Sequence, residues 1–266
     1  MPYSMVHVPI YASDRFLGKS GAGLYGDVVM ELDWSIGVII DAFEKNGLRE
    51  NTLVIFATDN GPWITYGDHA GSAGIFREGK HTSFEGGTRV PTLMSWPGKI
   101  PANTNCDLFA STIDVFPTVA QLIGAQLPPH KIDGKDIREL MFNQSATKSP
   151  HDYFPQYRRE ELQAIRSEHW KLVFPHKYRS QNGRPGGTGG LPAEWDINTA
   201  ELALYNLDSD PGETTDLKDQ YPAVFKQLSA AAQSWRIELG DKLTKTIGSE
   251  IRSPGKLGPG DRRLEW

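Results

Sequence analysis

Five consecutive apolar residues, Leu53-Val54-Ile55-Phe56-Ala57, run directly into Thr58-Asp59-Asn60-Gly61-Pro62. An unbroken apolar run of this length, closed by turn-forming residues, predicts a strand over 52–58 covered on both faces, as in a parallel sheet. Immediately before it, Val29, Leu32, Ile36, Ile40 and Phe43 recur at three- and four-residue steps. They predict an amphipathic helix from Tyr25 to Asn46, with Asp27 near its start and Asn46-Gly47 as its stop. Helix followed by doubly covered strand implies an α/β layer architecture built on a mainly parallel sheet.

Further along, Val90–Trp96 reads as a strand closed by Pro97-Gly98, and Leu108–Thr112 as a third strand. A short helix follows from Asp114 to Ile123, with Pro117 tolerated in its first turn and Gly124 ending it. Composition shifts near residue 145. Segments 161–167 and 169–174 then read as a strand pair and Leu202–Leu207 as another strand, while 182–190 (NGRPGGTGG) reads as a flexible loop. A helix is expected over 221–239, with Val224, Leu228, Ala231 and Trp235 on its packed face. The organisation expected is an α/β unit at 1–145, a smaller antiparallel α+β subdomain at 146–252, and a flexible tail at 253–266.

A net charge of -5 without any basic block argues against nucleic-acid binding, so an anionic ligand requires locally placed cations. No stretch approaches the roughly 20 apolar residues of a membrane span. The single cysteine, Cys106, excludes an intrachain disulfide and a zinc site of several thiolates, and reads as a packed or partly buried thiol. Gly18-Lys19-Ser20 lacks the first glycine of a P-loop, and no G-x-S-x-G elbow occurs. Nothing in the sequence indicates an oligomeric state.

The chemistry concentrates between Asp59 and Pro91. A carboxylate followed by a side-chain amide, Asp59-Asn60, suits a hard cation at a strand's carboxyl end, though the same pair with Gly61-Pro62 is also good turn chemistry. Lys80, presented by Gly79, is placed to meet an anionic oxygen. Glu85-Gly86-Gly87-Thr88-Arg89 reads as a structural tie, its glycines permitting close backbone approach.

In order, ENTLVIFATDNGP, GK-x-T-x-x-EGG-x-R-x-P and WPG resemble the C-terminal half of a formylglycine-dependent sulfatase, an arylsulfatase-like family of the alkaline-phosphatase superfamily. The flanking FLGKSGAGLYGDVVMELD, DVFPTVAQLIGA and LYNLDSDPGETTDL fit the same pattern. The resemblance implies a sulfuric-ester hydrolase acting on a sulfated carbohydrate or aryl sulfate. It assigns Asp59 and Asn60 to one Ca²⁺, Lys80 and His7 to the sulfate as catalytic residues, and His69 to substrate contact. The family nucleophile, a formylglycine made from C/S-x-P/A-x-R, has no counterpart in these 266 residues. The expectation is therefore a truncated chain, inactive alone, with its nucleophile and the remaining calcium ligands upstream. The N-terminus lacks signal-peptide features, and a periplasmic, extracellular or lysosomal location follows only from the resemblance. Two alternatives accompany this reading: a non-catalytic sulfated-glycan-binding protein derived from a sulfatase, and a phosphoryl-transfer relative.

Overall fold

The computed structural model describes residues 1–252, 258 and 260, so the expected flexible tail at 253–266 lies outside the described residues except at those two positions. Helix α1 spans Gly23–Lys45 and ends through Asn46 and Gly47, whose φ of +66° supplies the left-handed stop. The Asp27 carboxylate accepts the Gly18 and Ser20 amides, each at 2.8 Å, and so folds the preceding loop onto the first turn. Of the expected stripe, Leu32, Ile36, Ile40 and Phe43 are half-buried and Val29 is exposed, while Val28 is fully packed.

Strand β1 (Val54–Ala57) is followed by the single-turn helix α2 (Glu85–Thr88) and strand β2 (Thr92–Ser95). β1 and β2 pair antiparallel, from Val54↔Ser95 to Ala57↔Thr92, and with no other strand among the described residues. The mainly parallel pairing expected from the apolar run is thus not formed within the described chain. β1 is only half-covered and Leu93 of β2 is 68% exposed. No strand forms at Leu108–Thr112. Instead, Ser111 and Asp114 make a reciprocal capping box that coils Thr112–Asp114 into a 3₁₀ turn leading into helix α3 (Val115–Ile123). Cys106 is exposed rather than packed. Helix α4 covers Arg138–Phe142.

The second half is built on the antiparallel sheet β3-β4-β5-β8, formed by Phe154–Arg158, Glu161–Arg166, Trp170–Val173 and Ala203–Asn206. Strands β6 (His176–Ser180) and β7 (Asp196–Ala200) form a separate hairpin that sequence reading missed, as it missed β3. These strands are polar and short, and carry neither apolar alternation nor an apolar run.

Helix α5 (Pro222–Leu239) covers one sheet face, where Leu162, Ile165, Leu172 and Leu204 pack on Leu228 and Ala232. Val224, Ala231 and Trp235 complete that contact, as the helical spacing requires. The opposite face pairs Arg166 with Lys171, and Lys171 with Tyr205, beneath Phe84 and Glu85. There the fully buried Lys171 ammonium lies 3.1 Å from Glu85, 2.9 Å from Glu213 and 2.6 Å from the Ser83 carbonyl. Arg166 adds a contact to Glu85 at 2.9 Å, and the Glu85 amide donates to the Glu213 carboxylate at 2.6 Å. Burial alone would raise the Glu85 pKa, yet Lys171 and Arg166 outweigh it and hold the group below the usual carboxylate value. Burial prevails at Glu213, which is raised.

Replacing Lys171 by Met leaves Glu85 with the buried Arg166 guanidinium and Glu213 with no cation at ion-pair distance among the described residues. Loss of one partner from a buried ion pair costs about 3–5 kcal/mol, so Lys171→Met is expected to lower unfolding stability by that order in urea titrations. A change below about 1 kcal/mol would show that the network contributes little. A second expectation concerns Tyr157, whose hydroxyl donates to the Gly240 carbonyl at 2.7 Å and is pushed up to about 12 by burial and then by Asp241. Its folded pKa exceeds the unfolded value, so its contribution is fully present below about pH 10 and is lost as pH rises through 12. Tyr157→Phe is expected to remove that alkaline dependence from thermal melts recorded across this range.

Candidate functional site

Interlocking backbone turns create the site. The Gly61 amide donates to the Gly87 carbonyl at 3.0 Å, and a Cβ on Gly61 would stand 1.8 Å from the Gly86 carbonyl oxygen. The Asp59-Asn60-Gly61 turn and the Glu85-Gly86-Gly87 turn therefore meet at a separation that excludes side chains. Gly86 in turn donates to the Arg77 carbonyl at 2.9 Å, and Lys80 donates its amide to Pro62 at 2.8 Å. Glu78 and His81, on either side of Gly79-Lys80, have φ of +58° and +75°. Two non-glycine residues in the left-handed region mark a segment whose shape is imposed by its surroundings. Buried α2, held through Glu85, supplies that constraint.

Trp63 is the hub of the side-chain cluster. The Lys80 ammonium lies 5.0 Å from the Trp63 ring centre, His81 stands edge-on to it at 5.0 Å and His7 at 5.8 Å. His7 donates Nδ1–H to the Val8 carbonyl at 2.7 Å, because a carbonyl can only accept. That fixes the neutral tautomer and leaves Nε2 without a hydrogen bond among the described residues. The His81 pKa is lowered by burial first, then by Lys80, Arg179, Arg158 and His7. In a chain of net charge -5, Lys80, Arg179, Arg158 and His7 thus act together on His81.

Asp59 and Asn60 line a broad cleft together with His81, Arg158 and Arg166. Lys80 lines a smaller recess with Trp63, His81, Arg179 and Trp195, and His81 and Thr82 line both. His69 lines neither. Its ring rests against Gly190, with Nδ1 buried and unpartnered. The 182–190 loop, expected to be flexible, is docked there: Gly187 donates to the Thr65 carbonyl at 2.9 Å and Gly189 to the Asp68 carboxylate at 3.1 Å.

Asp59 and Asn60 offer oxygen donors of the kind a hard cation takes. Among the described residues, no group of three or more His, Cys, Asp or Glu converges for a metal. Calcium takes six to eight oxygens, so these two fit part of its shell and no more. The sequence carries no motif for Arg158, Arg179, Trp63 or Trp195. The Lys80–Pro62 backbone bond sets Trp63 beside Lys80, and the pairing of β6 with β7 brings Arg179 and Trp195 to the same recess.

Three family descriptions match the chain: Sulfatase over residues 2–125, C-terminal region of aryl-sulfatase over 149–251, and N-sulphoglucosamine sulphohydrolase, C-terminal, over 71–182. Mouse steryl-sulfatase is 35% identical, with 98% of this chain and 43% of that protein aligned. The N-acetylgalactosamine-6-O-sulfatase of Bacteroides thetaiotaomicron is 34% identical over 86% of this chain and 45% of its own length. A solved sulfatase from Pseudoalteromonas sp. shares the fold at TM-score 0.77 and 24% identity, covering 92% of this chain and 48% of that one. The chain spans less than half the length of these relatives. No described helix is long and apolar enough to cross a membrane.

Because Lys80 is among the causes of the low His81 pKa, removing its charge acts in a known direction. Lys80→Met is expected to raise the His81 midpoint in an NMR pH titration, and wild-type His81 to titrate below 6.5. An unshifted midpoint in the variant would place Lys80 outside the field felt by His81.

Proposed function

Since this chain belongs to the sulfatase family, with an alkaline-phosphatase-like fold, we propose that it forms the sulfate-holding half of a sulfuric-ester hydrolase. The observation that carries this reading is the convergence of Lys80, His81 and His7 on Trp63, beside the Asp59-Asn60 end of β1. Lys80 binds a sulfate oxygen as a point charge, in a recess where aromatic rings limit water. His7, its Nδ1–H occupied by Val8, presents Nε2 to the ester oxygen and, when protonated there, gives that proton to the leaving group. Neutral His81 packs edge-on to the Trp63 ring and keeps the wall dry without adding charge.

Asp59 and Asn60 would contribute two oxygens to a Ca²⁺ that neutralises sulfate charge; its other ligands come from elsewhere. C/S-x-P/A-x-R is absent from the sequence, so no turnover is expected from this chain alone. The steryl- and N-acetylgalactosamine-6-O-sulfatases among its relatives support a sulfated small molecule or glycan as the substrate class, and the reading includes a periplasmic, extracellular or lysosomal setting. The cations gathered at Lys80 and His7 are equally compatible with a second reading, a non-catalytic binder of sulfated glycans.

The test uses 4-nitrophenyl sulfate with the purified chain. Binding is expected, read as a rise in the His81 midpoint because an added anion stabilises its cation. Lys80→Met is expected to weaken that binding about tenfold or more, the scale of one charge-assisted contact. No 4-nitrophenol should be released. In a protein joining this chain to a C/S-x-P/A-x-R segment, turnover should appear and His7→Ala should lower it about 10²-fold or more. Turnover that never appears there, with binding intact, favours the binder. Absence of binding overturns both readings.

A further inference from the structure

We propose that His81 is a further ligand of the bound sulfate, taking up a proton from solvent as the anion enters. The imidazolium then donates a hydrogen bond to a sulfate oxygen, and the site holds sulfate more tightly as pH falls. The inference rests on the reading of the Trp63 cluster as the sulfate site, which by itself gives His81 only a packing role. Its ground is the position of this side chain. Two residues line both the broad cleft of Asp59 and Asn60 and the recess of Lys80: His81 and Thr82. Thr82 is buried and donates its hydroxyl proton to the Gly79 carbonyl at 2.8 Å. His81 is half-buried, edge-on to Trp63, and neither of its ring nitrogens makes a hydrogen bond among the described residues. His7, by contrast, has its Nδ1–H on the Val8 carbonyl. The φ of +75° at His81 is uncommon for a residue that carries a side chain, and strain of this kind collects at ligand sites.

The charges around the ring set the direction of the effect. Lys80 from the same turn, Arg179 from β6, Arg158 from β3 and His7 from the N-terminal segment all act on it. The acids that border the two openings are Asp59, Asp107 and Glu78, and none lies within ion-pair distance of His81; the Glu78 carboxylate accepts from the Ser180 hydroxyl at 2.7 Å. Burial, and then those four groups, hold the His81 pKa below 6.5, so the ring is neutral in the free chain at neutral pH. A sulfate reverses both causes, because its charge offsets the cations and its oxygens accept from an imidazolium N–H. The two equilibria are linked, so the factor by which sulfate favours the proton is the factor by which the proton favours sulfate. The His81 pKa is then lower in the free chain than in the complex. Affinity rises as pH falls through the pKa of the complex and levels off below that of the free chain, itself under 6.5.

The experiment titrates the whole chain with 4-nitrophenyl sulfate, whose charge is constant from about pH 5 to about pH 8, at fixed ionic strength. Calorimetry in two buffers of different ionisation enthalpy counts the protons taken up. Binding about tenfold or more tighter at the acid end is expected, with net uptake of up to about one proton per sulfate between those limits. In an assigned NMR titration the His81 midpoint should rise by about one unit or more at saturation, which corresponds to that tenfold gain. His81→Asn, in which asparagine also tolerates the left-handed backbone, should lose most of the pH dependence and most of the uptake. A flat affinity profile, or an uptake that His81→Asn leaves undiminished, overturns the inference; the second result moves the proton to His7. If His81→Asn does not fold, the assigned His81 midpoint with and without 4-nitrophenyl sulfate decides, and a rise below about half a unit counts against direct contact. The underlying sulfate reading fails separately: no binding at any pH removes it and the inference together, whereas binding with a flat profile removes the inference alone.

Discussion

Lys171, fully buried between Glu85 and Glu213, is the contact on which the site depends. Its ammonium joins two segments far apart in sequence to a third, because it also binds the Ser83 carbonyl at the entrance to α2. Three full charges and the Arg166 guanidinium nearly cancel, so the group is tolerated inside a sheet-facing core. Phe84, fully buried next to Glu85, fills the apolar part of the same interface, with the Arg77 guanidinium 3.9 Å above its ring. Arg77 then donates to Tyr178, Tyr205 and the Glu213 carbonyl. The result is a rigid seat for a single helical turn that would have no stability by itself.

From that seat, geometry passes outward through backbone contacts. Gly86 meets Arg77, Gly87 meets Gly61, and Pro62 meets Lys80. Each step is a hydrogen bond between main chains, and a Cβ on Gly61, Gly79, Gly86 or Gly87 would not fit there, so the position of Lys80 relative to Asp59 is set by the α2 seat. The strained φ values of Glu78 and His81 belong to the same constraint. A lysine on a free loop would point to water; here the loop is clamped at both ends and its ammonium stands over an indole ring.

Much of this was legible in the sequence, for identifiable reasons. The apolar stripes gave α1 and α5 because helical periodicity is a local property, and the DNG and EGG turns stood out because glycine next to chemistry-bearing residues signals close backbone approach. Lys171 was invisible, since one lysine in a short apolar run looks like an ordinary outward-facing residue of a half-buried strand. So was the His151–Asp114 pair, whose atoms lie 2.8 Å apart across 37 residues of chain. The loop at 182–190 was misread from its glycines, which here serve approach to Thr65 and His69. Cys106 was misread as packed because burial is a tertiary property that a residue type only biases.

By itself, then, the sequence determined the helices with strong periodicity, the two glycine turns, and which residue types were available to bind an oxyanion and part of a cation shell. It also carried the family resemblance, because motif order survives where contacts are not visible. Only tertiary structure decided that β1 pairs antiparallel with β2, that Asp59 and Lys80 line two openings sharing His81 and Thr82, and that Arg179 lines the one with Lys80 while His69 lines neither. The physical reason is that turn chemistry and periodicity act over a few residues. Charge clustering and close packing are set by contacts between segments that meet only when the sheet and α2 dock.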